Sequence, residues 1–138
     1  MPLVTEQDST LVREREGVWV KYQEGELKIA RMGNPLNKRV FNRLRAPYKR
    51  AIERGTLSDE QQAQILARTY AESLLLDWRN MTDAAGSEVP YSVDLATDVL
   101  MVDMDLREFV TQVAQEAALF RQEEIKERGK GSPKKSDG

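Results

Sequence analysis

The chain has 138 residues, 40% of them hydrophobic and 32% charged, with a formal net charge of −2; this is enough for one modest soluble domain. It contains no cysteine and no histidine, which excludes disulfides, thiol chemistry, the usual neutral-pH general base and the commonest zinc ligand. The start, MPLVTEQDST, has no basic region ahead of an apolar run, and no apolar run approaches bilayer length, so neither a signal peptide nor a membrane span is expected and a cytoplasmic protein is the default.

The small net charge hides a split. From Lys28 to Arg54 there are nine Lys or Arg against one acid, Glu53, for a net +8. From Gly55 to Ile125 there are fourteen Asp or Glu against four Arg, for a net −10. The two blocks can neutralise each other within the fold or present opposite faces to partners.

Residues 1–16 read as a flexible arm. Val18, Val20 and Tyr22 alternate, as do Leu27 and Ile29, with a turn at Gln23 to Glu26; the spacing predicts a β-hairpin. A lone hairpin is marginal in water, so its apolar face must lie on helices or on another subunit. Asn34 and Pro35 then predict a helix start, as N-cap and first helical residue. Val40, Phe41, Leu44, Tyr48 and Ile52 carry the apolar stripe. Pro47 interrupts it, by a kink or a junction of two short helices, and Gly55 is the expected C-cap.

Ser58 to Asn80 predicts one uninterrupted helix of about six turns. Ser58 caps it, Gln61 answers at N3, and Asp59 and Glu60 put negative charge in the first turn. Ile65, Leu66, Tyr70, Leu74, Leu75 and Trp78 form its apolar stripe, which wants burial. Met81 to Tyr91 is a loop that turns near Gly86. Ser92 or Asp94 starts a short helix through Ala96, Val99 and Leu100. Asp103 caps the last helix, whose stripe is Leu106, Phe109, Val110, Val113, Ala117 and Phe120. From Gln122 the stripe fades, and residues 126–138 are too polar to pack and are expected to form a disordered C-terminal tail. The expectation is a mostly α fold: a small N-terminal β-hairpin and a bundle of about four helices in a single domain over residues 17–125.

Carboxylates are the only acid–base groups in number. Asp103 with Asp105, and Asp94 with Asp98, have a spacing that a magnesium site could use, but all sit at helix starts, where Asp caps backbone amides. Asp77 and Glu88 are spaced like the ends of a calcium loop, yet Thr82 stands where that loop needs Gly. No Gly-rich stretch resembles a phosphate loop, and Ser73 and Ser92 have no histidine to activate them. A non-enzyme without cofactor or metal is expected. The basic residues Lys38, Arg39, Arg43, Arg45, Lys49, Arg50 and Arg54 could lie along phosphates; they could equally dock on the acidic half. Trp19 and Tyr22 could stack on bases or build a small core. The candidate partner-binding residues are Trp19, Tyr22, Phe41, Arg43, Tyr70, Trp78, Phe109 and Phe120.

Four stretches together resemble the tail assembly chaperones of long-tailed bacteriophages. They are LKIARMGNPLNKRVFNRLRAP (Leu27 to Pro47), LLLDWRNMTDAAGSEVPYS (Leu74 to Ser92), DLATDVL (Asp94 to Leu100) and DMDLREFVTQVAQEAALF (Asp103 to Phe120). Ala84 and Ala85 depart from the pattern by lengthening the turn after Trp78. The resemblance implies a protein that binds the tape measure protein, keeps that long helical chain soluble, and helps recruit the major tail tube protein around it. It also implies action in the host cytoplasm, absence from the mature virion, and a short form whose frameshifted extension would continue near Lys130 to Lys135. Three apolar stripes are much for one small domain to cover, so at least a dimer is expected. The alternatives are a small nucleic-acid-binding protein using residues 28–54 and a structural virion component.

Overall fold

The computed structural model describes residues 17–131; the arm 1–16 and residues 132–138 lie outside the described residues. Strand β1 (Val18–Tyr22) pairs antiparallel with β2 (Gly25–Ile29), Val20 opposite Leu27. Gly25 is fixed by close approach: a Cβ there would sit 2.8 Å from the Arg79 and Asn80 carbonyl oxygens, a distance only glycine tolerates.

Helix α1 (Pro35–Arg45) starts as expected, with the Asn34 side chain accepting from the Asn37 N–H. Pro47 bends the chain through a 3-10 turn (Ala46–Tyr48) into α2 (Lys49–Arg54). Gly55 closes α2 at φ 69° and donates to the Ala51 and Ile52 carbonyls, a left-handed cap that favours glycine. Helix α3 (Asp59–Ser73) opens on the expected capping box of Ser58 and Gln61.

The expected six-turn helix does not form. It ends at Ser73, and Leu75–Arg79 is a third strand, β3, antiparallel to β2. The loop after β2 takes the carbonyls that would have continued the helix. Ala30 N–H donates to the Leu74 carbonyl at 2.9 Å, and Asn34 Nδ2 donates to the Ser73 carbonyl at 3.1 Å. Pairing with β2 then satisfies the remaining backbone groups. The register runs Lys28 to Asp77 and Ile29 to Leu75, skipping Leu76. That bulge puts Leu75 and Trp78 on the same buried side although they are three residues apart. A regular strand would separate them.

Helix α4 (Val93–Val102) is capped by Ser92 and α5 (Met104–Gly131) by Asp103. With α1, the turn and α2 forming one bent arm, the fold is an N-terminal β-hairpin followed by four helical segments among the described residues, with β3 inserted between α3 and α4 to complete a three-stranded antiparallel sheet. The core joins Leu27, Ile29 and Trp78 of the sheet to Tyr70 and Leu74 of α3, Leu100 of α4, and Leu106 and Val110 of α5. Ala67, Ala71 and Ala96 are fully buried, which lets α3 and α4 approach closely. No helix among the described residues is long and apolar enough to cross a membrane.

Candidate partner-binding groove

Helix α3 buries one face and leaves another uncovered. Ala67, Tyr70 and Ala71 point into the core, while Leu66 stays 39% exposed. Beside Leu66, Phe41 of α1 is 37% exposed. Phe41 and Arg45, four residues apart, share a face of α1, and Ile52 joins them from α2, past the bend. Together with Leu57, with Gln62, Ala63 and Leu66 of α3, and with Arg107 of α5, they line an open groove of about 640 Å³. A second hollow of about 290 Å³ shares Leu66 and Arg107 and runs on between Tyr70 and Met104, Glu108 and Thr111 of α5. Tyr70 lines this second hollow, its hydroxyl hydrogen-bonded to Thr111 Oγ1 at 2.8 Å. The size and lining suit apolar side chains of a partner, with a few polar groups to orient them.

An ion network holds the walls in place. Arg43 Nη2 donates to both Glu72 oxygens at 2.8 and 2.9 Å, tying α1 to α3. Arg68 donates to Glu72 at 2.6 Å and to Asp94 at 2.7 Å, tying α3 to the start of α4. Burial would raise the Glu72 pKa, but the hydrogen bonds from Arg68 and Arg43 outweigh it and hold the carboxyl below its usual range. The same bonds to Glu72 and Asp94 raise the Arg68 pKa. Inside the groove, the Arg45 guanidinium lies 4.9 Å from the Phe41 ring centre, a cation–π contact.

The structure brings two of the eight candidate residues to this groove, Phe41 and Tyr70. Arg43 is spent on Glu72. Trp78 is in the core on β3 rather than on a helix; its Nε1–H donates to the Val89 carbonyl at 2.7 Å, and its ring meets Tyr91 edge-on at 5.1 Å. Tyr22 packs on Phe109 at 4.8 Å, against the core. Burial, then Asp103 and Asp105, raises the Tyr22 pKa. Trp19 lies under the Arg79 guanidinium at 4.0 Å, and Arg79 pairs with Glu26. Phe120 is 57% exposed on the far half of α5, beside exposed Leu119. The candidate residues left out Ile52, Leu57, Leu66, Met104, Arg107 and, as a lining residue, Arg45. Ile52 and Leu66 carried a signal as members of the apolar stripes, and Arg45 in its spacing from Phe41; Leu66, expected to be buried with its stripe, is 39% exposed.

Two of the carboxylates considered for metal chemistry serve the fold. Asp103 Oδ1 accepts from the Leu106 N–H, and Asp94 pairs with Arg68. Among the described residues no three His, Cys, Asp or Glu side chains gather as a metal site would need.

No curated protein and no solved structure matches the chain. Residues 32–131 match the family described as YdaY prophage protein. The match starts just after the hairpin and spans every helix and the whole groove. On that coverage the chain belongs to the YdaY prophage protein family.

Proposed function

We propose that this chain is a tail assembly chaperone, which binds the helical tape measure protein and helps recruit the major tail tube protein. The observation that carries the reading is the uncovered groove over Phe41, Ile52, Leu57 and Leu66. A groove walled by helices accepts the apolar stripe of another helix, and the tape measure protein offers such stripes along its length. Membership of a prophage family supports a role in building a phage particle. The chaperone acts by binding rather than catalysis, in the host cytoplasm, and leaves before the particle is complete. Its lack of histidine and cysteine, and the structural use of Ser92, Asp94 and Asp103, agree with a non-catalytic role.

The test is co-expression with the tape measure protein of the same prophage. The wild-type chain should keep that protein in the soluble fraction and co-purify with it. Phe41→Asp with Leu66→Asp should abolish both, because the change puts charge into the apolar floor at partly exposed positions that the fold tolerates. Retention unchanged by this pair of substitutions, in a variant with wild-type circular dichroism, would overturn the groove as the binding site. Failure of the wild-type chain to retain the tape measure protein would overturn the chaperone role itself.

A further inference from the structure

Five arginines near the α1–α3–α5 surfaces and the sheet differ in how they are partnered. Arg43, Arg68 and Arg79 each meet a carboxylate of the chain itself: Glu72, Glu72 with Asp94, and Glu26. Arg45 and Arg107, the two charged side chains that line the larger groove, do not. Among the described residues neither forms a salt bridge; Arg45 lies over Phe41, and Arg107 Nη1 sits 3.4 Å from the Leu100 carbonyl. Among the described residues no Asp or Glu lines the larger groove with these two guanidiniums; Glu53 shares a separate, smaller hollow with Arg45. Glu108 lines only the smaller extension.

From this asymmetry we infer that the groove selects an amphipathic helix whose apolar stripe is flanked by carboxylates. The inference deepens the chaperone reading and rests on it: the stripe fills the floor over Phe41, Ile52 and Leu66, and acidic residues beside it meet Arg45 and Arg107. Guanidinium–carboxylate contacts are charge-assisted and can be bidentate. Once the occupant excludes water from the rim, they gain strength over an exposed pair. An occupant flanked by lysines would instead bring like charges together. Acidic flanks therefore choose which segments of a long helical protein are held.

Two synthetic amphipathic helices test this. They share one Leu and Phe stripe and differ only in flanking residues, all Glu in one and all Lys in the other. Binding is read by fluorescence anisotropy on the full chain. The Glu-flanked helix should bind about tenfold or more tighter, and the gap should narrow as salt rises past about 0.15 M. Arg45→Gln with Arg107→Gln should erase the preference, and Arg45→Glu with Arg107→Glu should reverse it. Equal affinities, or a preference that survives the Gln variant, would overturn the inference while leaving the tape measure assay to judge the chaperone role. If neither peptide binds, the groove assignment falls with it. If Leu66→Asp turns an oligomer into a monomer, the groove is a contact between copies, and the inference is likewise overturned.

Discussion

Asn34 and Ser73, 39 residues apart, share one hydrogen-bonded junction. Asn34 Nδ2 donates to the Ser73 carbonyl at 3.1 Å and to the Arg31 carbonyl at 2.8 Å, while its Oδ1 accepts from the Asn37 N–H at 2.9 Å. Asn37 Nδ2 in turn donates to Ser73 Oγ at 2.9 Å. Asn34 is 1% exposed, so water cannot replace these bonds. One side chain thus starts α1 and ends α3, and with the latter it frees β3 to join the sheet.

Asn34→Ala should therefore cost roughly 2–4 kcal/mol. A lost N-cap accounts for about 1 kcal/mol and a buried unsatisfied carbonyl for another 1–3. Asn34→Ser, which can still cap α1 but cannot reach Ser73, should recover part of the loss. Urea denaturation of the three proteins measures both steps; equal stability of wild type and Asn34→Ala would refute the junction.

Trp78→Ala should destabilise by roughly 3–5 kcal/mol, as for other large-to-small changes in a core. Trp78→Phe keeps most of the packing and loses the hydrogen bond to the Val89 carbonyl, for a smaller cost of about 1–3 kcal/mol. The chain has two tryptophans, so emission separates them. Trp78→Phe should leave the spectrum of the less buried Trp19 alone, shifted to the red.

The same residue shows where the sequence was legible and where it was not. The caps at Asn34, Ser58, Ser92 and Asp103 depend on near neighbours in the chain and could be read directly. The helix break after Ser73 could not, because Leu74 to Trp78 contains no Gly or Pro and its leucines favour a helix. The partners that end the helix, Ala30 and Asn34, lie about forty residues earlier, so tertiary contacts overrode local preference. The bulge at Leu76 added to the misreading: it buries Leu75 and Trp78 at a spacing of three, which mimics a helical stripe. At the groove, Phe41 and Ile52 were legible as members of one apolar stripe and Leu66 as a member of another. Leu57 and Arg107 join them only through packing of α3 and α5, which no local pattern encodes.

Stability should fall at both pH extremes, through Glu72 on the acid side and through Tyr91 and Tyr22 on the alkaline side. Glu72 has a folded pKa below its ordinary value of 4.5, so its contribution is present above that value and fades as pH falls through the folded pKa. Glu72→Gln should flatten the acid limb. Tyr91 is pushed up to about 12 from 10.0, first by burial and then by Asp77. Its hydroxyl lies 2.7 Å from both the Ala71 and Leu75 carbonyls and shares its proton between them. A raised folded pKa gives stability that is complete below pH 10 and lost as pH rises towards 12. Tyr91→Phe should shrink the alkaline limb in melts from neutral pH upward, leaving the share due to Tyr22.

Self-association should run through the far half of α5, where Leu119, Phe120 and Ile125 are exposed. We expect at least a dimer at micromolar concentration. Phe120→Asp should shift it towards monomer in analytical ultracentrifugation without changing peptide binding at Phe41 and Leu66. A wild-type chain that sediments only as the 15.8 kDa monomer would refute this.

The last prediction separates a chaperone from a nucleic-acid binder. Arg43 is a poor probe, since reversing it would set two carboxylates together at Glu72. Lys38 and Lys49 are exposed on α1 and α2, so Lys38→Glu with Lys49→Glu strips basic charge from that surface without breaking a contact of the fold. The apolar part of tape measure binding should persist as salt rises, because salt screens charges and leaves apolar burial intact or slightly stronger. A phosphate contact would instead weaken steeply through counterion release. We expect the double variant to retain the tape measure protein as the wild type does at physiological salt. We also expect neither protein to shift mixed DNA or RNA in gels under that condition. The acidic remainder of the chain, net −10 from Gly55 to Ile125, would repel phosphates. A wild-type shift that survives physiological salt and disappears in the variant, with tape measure retention untouched by Phe41→Asp and Leu66→Asp, would move the function from the groove to the basic helices.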